Sequence, residues 1–254
     1  MYIELMKVNH IRKVEEKLGV ASTLKADFIN YYRAGVEKFL RDNQKEMGDK
    51  WVEQVGSILY NFQGKNKEAD ILGSSPYILT AMQTFCPDIH LITGKQLLEL
   101  YNLAGNKNPF GAVYIDFGIQ ANGEPKTNHV KAKALLESYK HNGINTDEVL
   151  VPDFCQLNLV PDKEGGLVFK LKDGVTKEAL TPASEYPFGN RIRKNGLFRV
   201  YLDGGDACVA HDDGLAGSTQ DGRVVCYDAE GVELKKYSPD TITQLSTSFL
   251  SKFQ

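Results

Sequence analysis

Apolar positions along this chain change rhythm twice, and each change marks a shift in the kind of element predicted. Up to about residue 62 the spacing is helical. Leu24, Phe28, Tyr32, Val36 and Leu40 fall four apart and so share one face of a helix that Ser22 or Thr23 can cap. A break at Gly48, with Asp49 as cap, leads to another helix whose seam is Trp51, Val55, Ile58 and Leu59. An earlier helix over 8–18 ends at Gly19. The polar stretch Gln63 to Lys67 then interrupts the pattern, and the main boundary falls there.

Beyond that boundary short apolar runs alternate with short helices. Residues 69–72, 89–92, 111–117 and 149–151 read as strands. Pro76, after Gly73-Ser74-Ser75, opens one helix, and Thr93-Gly94 opens another that Gly105 closes. A third covers 128–141, with Val130, Ala134, Leu135 and Tyr139 on its apolar side and Asn142-Gly143 as its stop. The run 111–117 is apolar almost throughout, as a strand covered on both faces must be, and it stops at Gly118. A strand, helix and strand in so compact a series are simplest to join as parallel strands with a right-handed crossover.

The fold expected is therefore α/β: a small Rossmann-like, mostly parallel sheet over residues 67–153. A helical segment, 1–66, precedes it, and an antiparallel β-rich extension, 154–254, follows. In that extension 154–160, 167–172 and 197–202 alternate apolar with polar residues. Shorter strands at 208–210, 223–227 and 232–237 sit among glycines, and 241–253 reads as a closing helix.

Composition narrows the function classes. The 254 residues carry a net charge of -3, which argues against a general binder of nucleic acid or of anionic membranes. No stretch approaches membrane-spanning length, and residues 1–7 lack the basic start and long apolar run of a secretory signal. Cys86, Cys155, Cys208 and Cys226 are dispersed, without zinc spacing, and read as reduced thiols of the cytoplasm.

Candidate chemistry follows from the expected sheet, because ligands collect outside the carboxyl ends of parallel strands. That rim would carry Ser74, Ser75, Thr93 and Lys95 as contacts for an anion, with Asp116 and Asp153 as catalytic carboxylates. Asp116 stands out, since a carboxylate inside an apolar run must point into a cleft, meet a partner or take a raised pKa. Ser75 also reads as a plain helix cap, and Asp116 as a strand-end residue capping a turn. With Glu124 and Lys126, Asp116 makes a series resembling in form that of metal-dependent nucleases, but Pro125 breaks the strand that would present them. Asp116-Phe117-Gly118 spells the kinase magnesium tripeptide without the other kinase motifs. Residues 14–32 have a helix-turn-helix outline. Asp203, Asp206, Asp212 and Asp213 near His211 form an oxygen-rich group whose spacing fits no calcium loop. Arg191, Arg193, Lys194 and Arg199 suggest an edge strand guarded by cations.

Two functions are expected from this pattern. One is a soluble, non-catalytic binding or protein-interaction protein. The other is an enzyme acting on a small anionic or phosphorylated substrate at the strand ends, such as a metal-dependent hydrolase. The partner is accordingly a protein or a small anionic ligand, and neither cofactor nor metal is specified by the residues.

Overall fold

The computed structural model of the protein describes residues 18–21, 26–60, 75–86, 90–110, 112–122, 128–187, 195–205, 208–211, 214–217, 222 and 224–227. Helices α1 (Ala26–Met47) and α2 (Asp49–Leu59) meet at Gly48, whose φ of 86° only glycine adopts cheaply. Tyr32, Val36 and Leu40 on α1, and Trp51, Val55 and Leu59 on α2, are buried. These members of the four-residue seams thus face the packing, with Ile58 only partly buried; Leu24 lies outside the described residues. α3 (Pro76–Phe85) starts behind Ser75, whose hydroxyl accepts from Ile78 N–H, with Pro76 in the first turn where no donor is needed. α4 (Gly94–Leu103) follows Thr93 and α5 (His129–His141) follows Asn128.

Ten strands complete the described structure. They are β1 (Leu18–Ala21), β2 (His90–Leu91), β3 (Ile115–Asn122), β4 (Leu150–Val151), β5 (Leu157–Asp162), β6 (Gly166–Leu171), β7 (Thr181–Pro182), β8 (Gly196–Leu202), β9 (Cys208–His211) and β10 (Val224–Tyr227). They pair in the orders β1-β10-β2, β3-β8-β9, β4-β7 and β5-β6. Every ladder is antiparallel. This overturns the expected Rossmann-like parallel sheet. Among the described residues parallel pairing is confined to one isolated bridge, Tyr114 with Gly222. The strands flanking α5 belong to different sheets, since β3 pairs with β8 and β4 with β7. They meet at a single seam, where Ile119 N–H donates to Pro152 O at 3.4 Å. Strand, helix and strand do follow one another as read. Their spacing, however, fixes sequence separation and not which strand fills the neighbouring edge.

The apolar run that suggested a parallel strand has another cause. Ile115 and Phe117 of β3 join Phe198, Val200 and Leu202 of β8 in one core. Ile119 and Ala121 join Leu197 in the other. An antiparallel sheet with a core on each face needs apolar residues on both. The register slips between Asp116 and Gly118, and a bulge there moves the following side chains to the opposite face. Gly118 therefore does not end the strand, which runs on to Asn122. A Cβ on Gly118 would lie 2.7 Å from both Pro152 O and Val151 Cγ1, so its bareness lets the two chain segments touch.

Two further readings are corrected. Leu18 and Gly19 lie in β1, so the turn of the helix-turn-helix outline is extended strand. β8 is the middle strand of its sheet, and Arg199 on it is buried, where a cationic guard would face solvent; Arg191, Arg193 and Lys194 lie outside the described residues. The expected elements at 69–72, 232–237 and 241–253 lie outside the described residues, as do Ser74, Glu124 and Lys126. Among the described residues no helix is long and apolar enough to cross a membrane.

Candidate functional site

α4 begins with a full capping box. Thr93 Oγ1 accepts from Gln96 N–H at 3.3 Å, and Thr93 N–H donates to Gln96 Oε1 at 2.9 Å. A second carboxylate-bearing segment closes on the same helix end. Gly94 N–H donates to Asp153 Oδ1 at 2.6 Å, while Asp153 N–H donates to Gln156 Oε1 at 2.8 Å. Asp153 is only 7% exposed, and burial pushes its pKa up to about 6 against the lowering pull of the Gly94 N–H and the Lys95 charge. Lys95 itself is exposed. The helix-end donor that would meet a phosphate is thus engaged by a carboxylate of the chain itself. Gly94 is bare for a reason. A Cβ there would overlap the Tyr186 hydroxyl and stand 3.1 Å from Phe117 Cδ2.

Asp116 lies on the other face of β3. Strand alternation sets Tyr114 and Asp116 on the same side as Arg199 and Tyr201 of β8. Arg199 Nε donates to Asp116 Oδ1 at 2.8 Å, and its Nη2 donates to Oδ2 in a two-pronged pair. Nη1 donates to Gly217 O at 2.9 Å. The guanidinium also sits 5.2 Å from the Tyr114 ring centre and 5.3 Å from that of Tyr201. Of the three outcomes open to a carboxylate in an apolar run, Asp116 takes the partner.

Further along α4 the surface opens into a cleft of about 340 Å³ between the second half of α4 and residues 184–187. Leu98, Tyr101, Tyr186 and Pro187 give its apolar lining, and Asn102, Asn106, Ser184 and Glu185 its polar groups. Behind Leu98, Tyr101 and Tyr186 the side chains close on Gly94 and Phe117 and leave no room for a water. Mixed apolar walls with a few oriented polar groups are the usual makings of a ligand site.

The structure brings together Thr93, Lys95 and Asp153. It gathers neither Asp116, held across the sheet, nor Ser75, whose hydroxyl accepts from Ile78 N–H at 3.2 Å as the cap of α3. Asp203 takes part in a turn, accepting from Gly205 N–H at 2.9 Å. Among the described residues no group of three or more His, Cys, Asp or Glu could hold a metal ion. Sequence reasoning missed Arg199 as the partner of Asp116, and it missed the cleft. The signals available for the cleft were weak: the Gly105-Asn106 turn after α4 and the loop-like residues from 182.

The class defined by this geometry is a mixed α and β protein built on small antiparallel sheets. Comparison with protein-family models, with curated proteins and with solved structures finds no match for this chain.

Proposed function

We propose that this protein is a non-catalytic binding protein and that its partner sits in the cleft between α4 and residues 184–187. The composition of that cleft carries the reading. Leu98, Tyr101, Tyr186 and Pro187 offer contact area, and Asn102, Asn106, Ser184 and Glu185 offer orientation. With a carboxylate, and no lysine or arginine among the described residues of the lining, it suits a neutral or cationic partner, such as a short peptide segment of another protein, better than a small anion. The thiols of Cys86 and Cys155 fit a reducing compartment such as the cytoplasm.

A second reading, an enzyme handling a small anion at the start of α4, is favoured by one observation: Asp153 has a pKa pushed up to about 6, beside Lys95. A thermal-shift panel of short peptides, nucleotides and sugar phosphates separates the two. On the first reading a neutral or cationic peptide stabilises the chain, by about 2.7 kcal/mol at a hundred times its dissociation constant. Asn102→Trp, which fills the cleft, then removes the shift. Asp116→Asn strips Arg199 of its counterion and should cost about 3 to 5 kcal/mol while leaving the peptide response in place. A shift produced by sugar phosphates alone, kept in Asn102→Trp and lost in Asp153→Asn, would replace the first reading with the second.

A further inference from the structure

The two walls of the cleft beside α4 both carry hydrogen-bond acceptors. On one side are Asn102, in the last turn of α4, and Asn106, in the turn after it; both are exposed, and each has a carboxamide oxygen to offer. On the other side are the Ser184 hydroxyl and the Glu185 carboxylate, both exposed. Leu98 and Pro187 add apolar surface. The backbone that mounts these groups is fixed. Gly105 N–H donates to Asn102 O at 3.1 Å and Asn106 N–H to Tyr101 O at 3.0 Å, while Tyr186 N–H donates to Ala183 O at 3.2 Å and the Tyr186 ring packs 4.9 Å from that of Phe117. A site held in this way loses little freedom when it is filled. Its volume of about 340 Å³ lies near the lower end of ligand pockets, about 300 to 1,000 Å³, and suits one long side chain with its peptide group.

Resting on the reading of this cleft as the binding site, we propose that the group it takes is an arginine side chain of the partner peptide, with the guanidinium between Glu185 and the two asparagines. Arginine is the complement of this lining. Its planar fork has five N–H donors and no acceptor, so it can reach acceptors on both walls, and its apolar stem can lie along Leu98 and Pro187. Lysine concentrates its charge on one strongly hydrated nitrogen, which costs more to seat beside apolar surface. An acidic side chain would meet the like charge of Glu185.

The test titrates the intact chain into labelled peptides of otherwise neutral sequence that differ only in a central arginine, lysine, citrulline or leucine, and takes dissociation constants from fluorescence anisotropy. The arginine peptide should bind several-fold more tightly than the lysine peptide, and both more tightly than the citrulline and leucine peptides. Glu185→Gln should remove the lead of arginine over citrulline. Glu178→Gln, at an exposed acid outside the lining, should leave the order as it was. Asn102→Trp should abolish binding of every peptide. Arginine level with citrulline or with lysine, leucine binding most tightly, or an arginine lead lost equally in Glu178→Gln would each overturn the arginine assignment, and the cleft would still stand as the site if Asn102→Trp removed the binding. Binding of none of the peptides, or binding that survives Asn102→Trp, would overturn the cleft reading and the arginine assignment with it.

Discussion

Asp153 shows what burial makes of an ordinary side chain. Its carboxyl group, 3.8 in an unstructured peptide, is pushed up to about 6 in the folded protein, so the folded state holds the proton more firmly than the unfolded state does. Its contribution is therefore most favourable below about pH 4, declines as the pH rises, and is a full penalty above about pH 6, on the order of 3 kcal/mol. Asp153→Asn keeps an oxygen for the Gly94 N–H and removes the charge. Urea unfolding at several pH values should find the variant gaining on the wild type from pH 4 to 7; a variant that loses ground over that range would mean the ionised form is the favoured one. Ser75 and Thr93 were legible as caps because a cap acts within its own turn. Asp116 was legible as a side chain in need of a partner. The identity of that partner was not, since Arg199 lies 83 residues further along.

Elements divide along the same line. The helices are local objects: the seam of α1 at Tyr32, Val36 and Leu40 is written in consecutive turns and survives unchanged into the core. Strand pairing is not local. β3 was visible as an apolar run, yet the run itself could not say whether its neighbour would be β4 or β8. The bulge at Asp116 and Gly118 hid the alternation that marks an antiparallel strand. Gly118→Ala tests the seam between β3 and the Val151-Pro152 segment, because the added methyl meets backbone that cannot swing aside. A loss of about 1 to 3 kcal/mol in denaturant unfolding is expected. A change near zero would mean that the two segments can separate without cost.

Across the whole molecule, described residues from each of the expected segments 1–66, 67–153 and 154–254 enter the larger core cluster. Trp51 Nε1 donates to Gly166 O at 2.6 Å, and Tyr77 Oη donates to Leu167 O, so α2 and α3 are both fastened to the β5–β6 hairpin. The larger core cluster contains Leu40 and Val55, Met82 and Leu135, and Phe169 and Leu197. Such sharing predicts one cooperative unfolding transition. Fluorescence of Trp51, the sole tryptophan, and far-ultraviolet circular dichroism should fall together with denaturant; two separated midpoints would show that the helical segment melts by itself. By itself the sequence determined where α3 and α4 start, the buried seams of α1 and α2 at Tyr32, Val36, Leu40, Trp51, Val55 and Leu59, and that Asp116 needs a partner, because propensity, capping and the four-residue repeat act over a few residues. Only the tertiary structure decided strand direction, the Asp116–Arg199 pair and the cleft beside α4, because each depends on contacts between segments whose separation along the chain carries no directional information.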